Sequence, residues 1–272
     1  MTRAFSPANI SCIFRVIENK NPKKKHSLGV GFTVDQGVIV SAKKSKKNIV
    51  LLNNKKTKLP TITTVVKELT DKPLKINISS KLPFGSGFGL SGASALAAAY
   101  AINKLLNLKK SKKELAMIAH TAEVINKTGL GDISGQFNAG FMAKLTKGHP
   151  LKVKNLPIKE KYVHYKVFSK LSTSSVITSK KKKNKLNKAG RKALAKIKKL
   201  EKPSLKDIIK ISKEFALNSK LLKNKKVINQ IKNIEINNGN ASMIMLGNAV
   251  FSDIPFKGSK RLKITKKSAH LI

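Results

Sequence analysis

Between Pro83 and Ala93 the chain reads Pro-Phe-Gly-Ser-Gly-Phe-Gly-Leu-Ser-Gly-Ala, and Ala93, Leu96, Ala97, Tyr100, Ala101, Leu105 and Leu108 follow on one helical stripe. Glycines let backbone N–H groups crowd around an anion, and a helix start adds free donors and the positive end of its dipole. Phosphate binding is the chemistry this junction supports; a turn that only permits tight packing is the bland alternative. Two phosphate motifs are imitated without being met. Gly87, Gly89 and Gly92 satisfy Gly-x-Gly-x-x-Gly, but the following helix leads into another helix, not a second parallel strand. Gly87 and Gly92 also have Walker A spacing, yet Ala93-Ser94 stands where Lys-Ser/Thr is required.

With only 13 acidic residues in the chain, a carboxylate beside a glycine turn draws notice. Asp132 lies in Thr-Gly-Leu-Gly-Asp-Ile-Ser-Gly-Gln and is either a turn former or a group facing a ligand. Glu123 precedes it on a helix expected over Ser111–Asn126, where Ser111 and Glu114 have capping-box spacing. His120 on that helix reads as packed or solvated. His26, His149, His164 and His270 lack ligand spacing, and the single Cys12 rules out an internal disulfide or a Cys-x-x-Cys site.

The elements that must carry these residues are strands first. Ile10–Ile17, Leu28–Val34, Gly37–Ser41, Asn48–Leu52 and Leu74–Ser79 are short apolar or alternating runs between Lys, Asn, Gly and Pro. After the two helices and the Thr-Gly-Leu-Gly-Asp turn, Gly140–Leu145 and Tyr162–Phe168 read as strands. Residues 184–236 turn helical in three pieces, split near Lys202-Pro203 and Asn218–Asn224, with Lys180–Lys188 expected as a solvated loop. The order argues α+β, with a boundary expected between 157 and 158.

The net charge of +44 comes almost wholly from lysine, since Arg3, Arg15, Arg191 and Arg261 are the only arginines. Readers of nucleic acid lean on arginine for bidentate contacts. A solvated lysine bias is one reading and polyanion binding the other; in either case the field attracts anions nonspecifically. No apolar run reaches the ~18 residues a bilayer demands. Ile10–Ile17 is broken by Arg15 and has no small-residue cleavage site behind it, so a cytoplasmic protein without membrane association is expected.

Pro83, Gly87, Phe88, Gly89, Leu90, Ser91, Gly92 and Ala93 resemble the phosphate loop of the GHMP kinases, Pro-x3-Gly-Leu-Gly-Ser-Ser-Ala, with Phe88, Leu90 and Gly92 as departures. Ser6-Pro7-Ala8-Asn9-Ile10 is similar to the superfamily's opening motif, but Ala8 replaces a glycine and Asn9 a basic residue. Ser27-Leu28-Gly29-Val30-Gly31-Phe32, Ala189–Leu194, Glu214–Leu217 and Ala241–Phe251 look like landmarks of the archaeal pantoate kinase group, so the likeness runs from Arg3 to Asp253. The tail beyond is short for the family, which implies some lost C-terminal packing.

The resemblance implies a two-lobed α+β fold, with an ATP-binding lobe over residues 1–157, a second lobe over 158–272, and the site between them. It implies an ATP- and Mg²⁺-dependent kinase phosphorylating pantoate. Pro83, Gly85, Ser86, Gly87, Phe88, Gly89, Leu90, Ser91, Gly92 and Ala93 would hold ATP, and Ser91 and Glu123 would hold Mg²⁺. Asp132 would address the acceptor hydroxyl, with Asn9, Ser27, Gly29, Thr128 and Gly131 around the acceptor. If no lysine stands in for the basic residue missing at Asn9, Asp132 lacks its usual partner. A homodimer is left open. So are a homoserine- or mevalonate-type GHMP kinase and a noncatalytic, lysine-rich nucleic-acid-binding protein on the same fold.

Overall fold

Alternating apolar residues at the start of the chain form β1 (Thr2–Ile17), which pairs antiparallel with β2 (His26–Lys44) from Thr2↔Ala42 to Ile17↔His26 in the computed structural model, which describes residues 1–170 and 180–272. The runs Leu28–Val34 and Gly37–Ser41 are therefore one strand. The expected break is a register shift: Pro7 faces Gly37 while Ala8 faces Val34. Gly37 is required there, because a Cβ would lie 2.1 Å from the Ser6 carbonyl oxygen. A second shift puts Cys12 in a bulge, so Asn9 and Ser11 are bracketed by irregularities.

β3 (Ile49–Leu52), β4 (Lys55–Lys56) and β5 (Leu74–Ser79) extend this sheet, and α1 (Pro60–Leu69) makes the crossover that lets β3 run parallel to β5. The helix α1 was not expected from sequence; Pro60 at its start and Ile62, Val65, Val66 and Leu69 on its buried face account for it. α2 (Leu90–Leu106) lies across β1 and β2. Its alanines are fully buried, which explains why it carries no polar face. α3 (Lys112–Ile125) begins with the capping box at Ser111 and Glu114. A one-turn-and-a-half helix, α4 (Asp132–Asn138), stands where only a turn was expected, and β6 (Phe141–Lys144) and β7 (Lys154–Asn155) join the sheet along β2.

A second sheet is formed by β8 (Tyr162–Ser169), β9 (Ala241–Met243), β10 (Asn248–Ser252) and β11 (Lys260–Lys263), in the order β11-β8-β10-β9. α5 (Lys180–Lys198), α6 (Leu205–Asn218) and α7 (Lys225–Ile236) complete this half. Lys180–Lys188, expected as a solvated loop entering a helix, is helical from Lys180 on: Leu186 and Ala189 are buried, and Lys181, Lys182, Lys185 and Lys188 are exposed. The tail is also packed, contrary to expectation, with β11 on β8 and β12 (His270–Leu271) returning to β1 through Ala4↔Leu271. Aromatic contacts tie the halves together. Phe32 stacks on Phe141 at 4.9 Å and meets Phe251 at 5.9 Å, and Phe88 meets Tyr165 edge-on at 5.3 Å. Among the described residues no helix is long and apolar enough to cross a membrane.

Candidate active site

The glycine run lines a cavity of about 320 Å³ together with Asn126–Asp132, Met245 and Leu246. Gly85, Gly87 and Gly89 have φ of 76°, 86° and 61°, values that side-chain-bearing residues adopt at a cost of roughly 1–2 kcal/mol. Gly89 is the N-cap of α2 and offers no side chain, and the first helical acceptor bond is Ala93 N–H to Gly89 O. The N–H groups of Leu90, Ser91 and Gly92 are thus free of intrahelical partners at the positive end of a 17-residue helix. Gly85, Gly87, Phe88, Gly89, Leu90 and Ser91 line the cavity. Pro83, Ser86, Gly92 and Ala93 are not on its wall, and Ser86 is buried with an unpartnered hydroxyl.

Asp132 sits over this loop. A Cβ on Gly89 would fall 2.8 Å from Asp132 Cγ, so only glycine lets the carboxyl group approach the helix start. Asn9 Nδ2 donates to Asp132 Oδ1 at 2.8 Å, and the Asn9 N–H donates to Phe88 O at 3.0 Å, so one β1 residue fixes both the carboxylate and the loop. Burial raises the Asp132 pKa, against the lowering effect of Asn9, Lys144 and Ser11. Asn9, Ser27, Gly29 and Gly131 line a smaller adjoining cavity with Ser11, Ser134 and Lys144. Lys144 went unnoticed in the sequence. It is 5% exposed, its ammonium has no hydrogen-bond partner, and burial lowers its pKa to about 7 while Asp132 pulls it back up. It is the cation near Asp132 that the departure at Asn9 left wanting.

Glu123 projects from α3 to the other flank of α2's first turn. It is 1% exposed; Oε1 accepts from the Thr128 hydroxyl at 3.0 Å, and Oε2 has no partner. A Cβ on Gly92 or Gly129 would fall 2.7 or 2.3 Å from Oε2, so two glycines make room for that oxygen. Thr61, on α1, links Thr128 at 3.0 Å to Ser91 at 3.3 Å through its hydroxyl, and Thr128 therefore stands with Glu123 and Ser91 rather than beside Ser27. Burial, and then the Asp132 charge, push Glu123 up to about 8, partly offset by the Thr128 and Ser91 hydroxyls. An orphaned carboxylate oxygen beside hydroxyls at a phosphate-type loop is a donor set suited to a hard divalent cation such as Mg²⁺. Among the described residues no cluster of three or more His, Cys, Asp or Glu forms a metal site. His120 is buried, and its Nε2 donates to Lys25 O at 3.0 Å.

The family described as GHMP kinases N terminal domain matches residues 57–140, the stretch from α1 through Asp132. The pantoate kinase of Methanocaldococcus jannaschii is 34% identical over 252 residues, covering 91% of this chain and 90% of that one. The pantoate kinase of Methanospirillum hungatei is 31% identical over 92% and 86% of the two chains. In fold, the chain superposes on a solved structure titled "Phosphotransferase related to CoA biosynthesis pathway" with a TM-score of 0.84 at 24% identity, covering 99% and 98%. It superposes on the Methanococcus jannaschii mevalonate kinase with a TM-score of 0.65 at 15% identity, covering 97% and 98%. Identity at this level along nearly the whole length of both chains, on the two-lobed fold these structures share, makes the chain a member of the pantoate kinase family of GHMP kinases.

Proposed function

We propose that the protein transfers the γ-phosphoryl group of ATP to the 4-hydroxyl of (R)-pantoate, giving ADP and (R)-4-phosphopantoate on the archaeal route to coenzyme A. The observation that carries this reading is the stacking of the Asp132 carboxyl group on Gly89, which sets an acid capable of receiving a hydroxyl proton directly beside the amides of a phosphate loop. The loop amides and the α2 N-terminus take the phosphate tail. Asn9 holds Asp132 through Oδ1, leaving Oδ2 to accept from the acceptor hydroxyl. As the acceptor oxygen bonds to phosphorus and the bond to ADP breaks, Asp132 takes the proton. Lys144, with no hydrogen-bond partner of its own, meets the pantoate carboxylate from the smaller cavity. Ser91 and Glu123, backed by Thr61 and Thr128, hold Mg²⁺, which would neutralise charge on the transferring phosphoryl group. In this reading residues 1–157 form the nucleotide lobe and 158–272 the lobe that covers the acceptor.

Release of ADP from MgATP in the presence of pantoate, homoserine or mevalonate tests the assignment. Pantoate is expected to give kcat/KM at least about 100-fold above the others: all three carry a carboxylate for Lys144, but homoserine brings an ammonium group close to that cation and mevalonate sets its terminal hydroxyl one carbon further from the carboxylate. Preference for another acceptor overturns the substrate; no ADP release with any of them overturns the activity.

A further inference from the structure

In a chain of net charge +44, the residues lining the larger cavity include one cation, Lys127. It follows the C-cap of α3, where its N–H donates to Val124 O at 3.2 Å, and it directly precedes Thr128, whose hydroxyl reaches Glu123 and Thr61. Its φ is 56°, a left-handed conformation better suited to Gly or Asn, and Asn adopts it at Asn107, the C-cap of α2, and at Asn238, just after the C-cap of α7. Left-handed lysines also occur at Lys109 and Lys220, so the conformation alone carries nothing. Location sets Lys127 apart. It shares the cavity with the glycine run from Gly85 to Ser91, whereas the buried Lys144 lines the adjoining, smaller cavity.

Walker-type loops carry their own lysine for the nucleotide's phosphates, and this loop has Ala93-Ser94 instead. We propose that Lys127 supplies that missing charge from outside the loop, binding the phosphate tail of a nucleoside di- or triphosphate. This rests on reading the cavity as the nucleotide site. Lys127 and Lys144 then divide the work, one cation for the nucleotide and one for the acceptor. Lys127 is exposed, so its contribution is screened by salt and grows with the number of phosphates it faces.

The test is calorimetric titration of the full-length protein with MgADP and with adenosine, for wild type and for Lys127→Arg, Lys127→Asn and Lys127→Gly. Asn and Gly remove the charge while suiting the left-handed backbone, so both are expected to fold, Gly with a higher Tm. Each should weaken MgADP binding about fivefold to tenfold, tenfold being about 1.4 kcal/mol, and flatten its dependence on NaCl. Adenosine affinity should not change, and Lys127→Arg should restore most of the loss. A purely structural residue would show the opposite pattern, with Tm and affinity moving together. Wild type binding MgADP with Lys127→Asn binding it equally well overturns the role of Lys127 alone; wild type that fails to bind MgADP overturns this proposal and the nucleotide reading together.

Discussion

The two cavities either side of Asp132 are built differently. The larger is walled largely by main chain: three glycines at positive φ, a capless helix start, and a turn in which Gly129 leaves room for Glu123. The smaller is walled by side chains from four separate elements, with Asn9 and Ser11 from β1, Ser27 from β2, Ser134 from α4 and Lys144 from β6. A backbone wall recognises what every phosphate shares. A wall of buried side chains recognises one shape and charge, and leaving such groups unpaired is costly. On the proposed reading, chemistry common to many kinases would reside in a contiguous stretch, and substrate choice in residues far apart in the chain.

Three substitutions probe that division, from the boundary outward. Asp132→Asn, on the wall of the larger cavity and held by Asn9 of the smaller one, should be the most damaging: kcat should fall about 1,000-fold, with MgADP affinity nearly unchanged because the amide wall is intact. Turnover near wild type would remove Asp132 from the proton transfer.

Glu123→Gln acts on the backbone-walled side alone. A loss on the order of 100-fold in kcat/KM for MgATP is expected, with the pantoate KM little altered. The variant also carries a pH signature. Glu123 is raised from 4.5 to about 8, so the protonated carboxyl favours the ligand-free fold, fully below pH 4.5, and that contribution is lost as pH rises through about 8. His26, His120 and Lys144, all lowered by burial, act with the opposite sign. The difference in stability between wild type and variant isolates Glu123, and in denaturant unfolding it should fall from pH 5 to pH 8. A difference independent of pH contradicts the raised carboxyl.

Lys144→Met is the mildest, confined to the side-chain wall. The KM for pantoate should rise about tenfold while the KM for ATP stays within about twofold, and Lys144→Arg should recover part of the loss. Equal changes in both constants would mean that Lys144 shapes the fold instead of meeting the acceptor.

Legibility in the sequence follows the same line. The glycine loop, its helix, the capping box at Ser111 and the turn before Asp132 are local patterns, and each stands where periodicity and turn chemistry put it. The helix α4 was hidden because Gly131 offers no side-chain cap and seven residues give no periodicity. α1 was hidden behind a threonine-rich run, although Pro60 followed by apolar residues at i, i+3, i+4 and i+7 was a usable signal, and Thr61 went with it. Lys144 is the harder case. A buried lysine inside Phe-Met-Ala-Lys would stand out in an ordinary protein, but among 57 basic residues it has no contrast, and only the fold distinguishes it.

The irregular pairing that brackets Asn9 has a consequence for how this protein can vary. Asn9 and Ser11 face the small cavity, while Ile10 between them is fully buried. Adding or deleting one residue in this stretch would rotate Ile10 toward pantoate and drive two polar groups into the hydrophobic interior. The segment can accept exchanges of side chain, but its count of residues is locked, and engineering of acceptor preference there must work by replacement at fixed spacing.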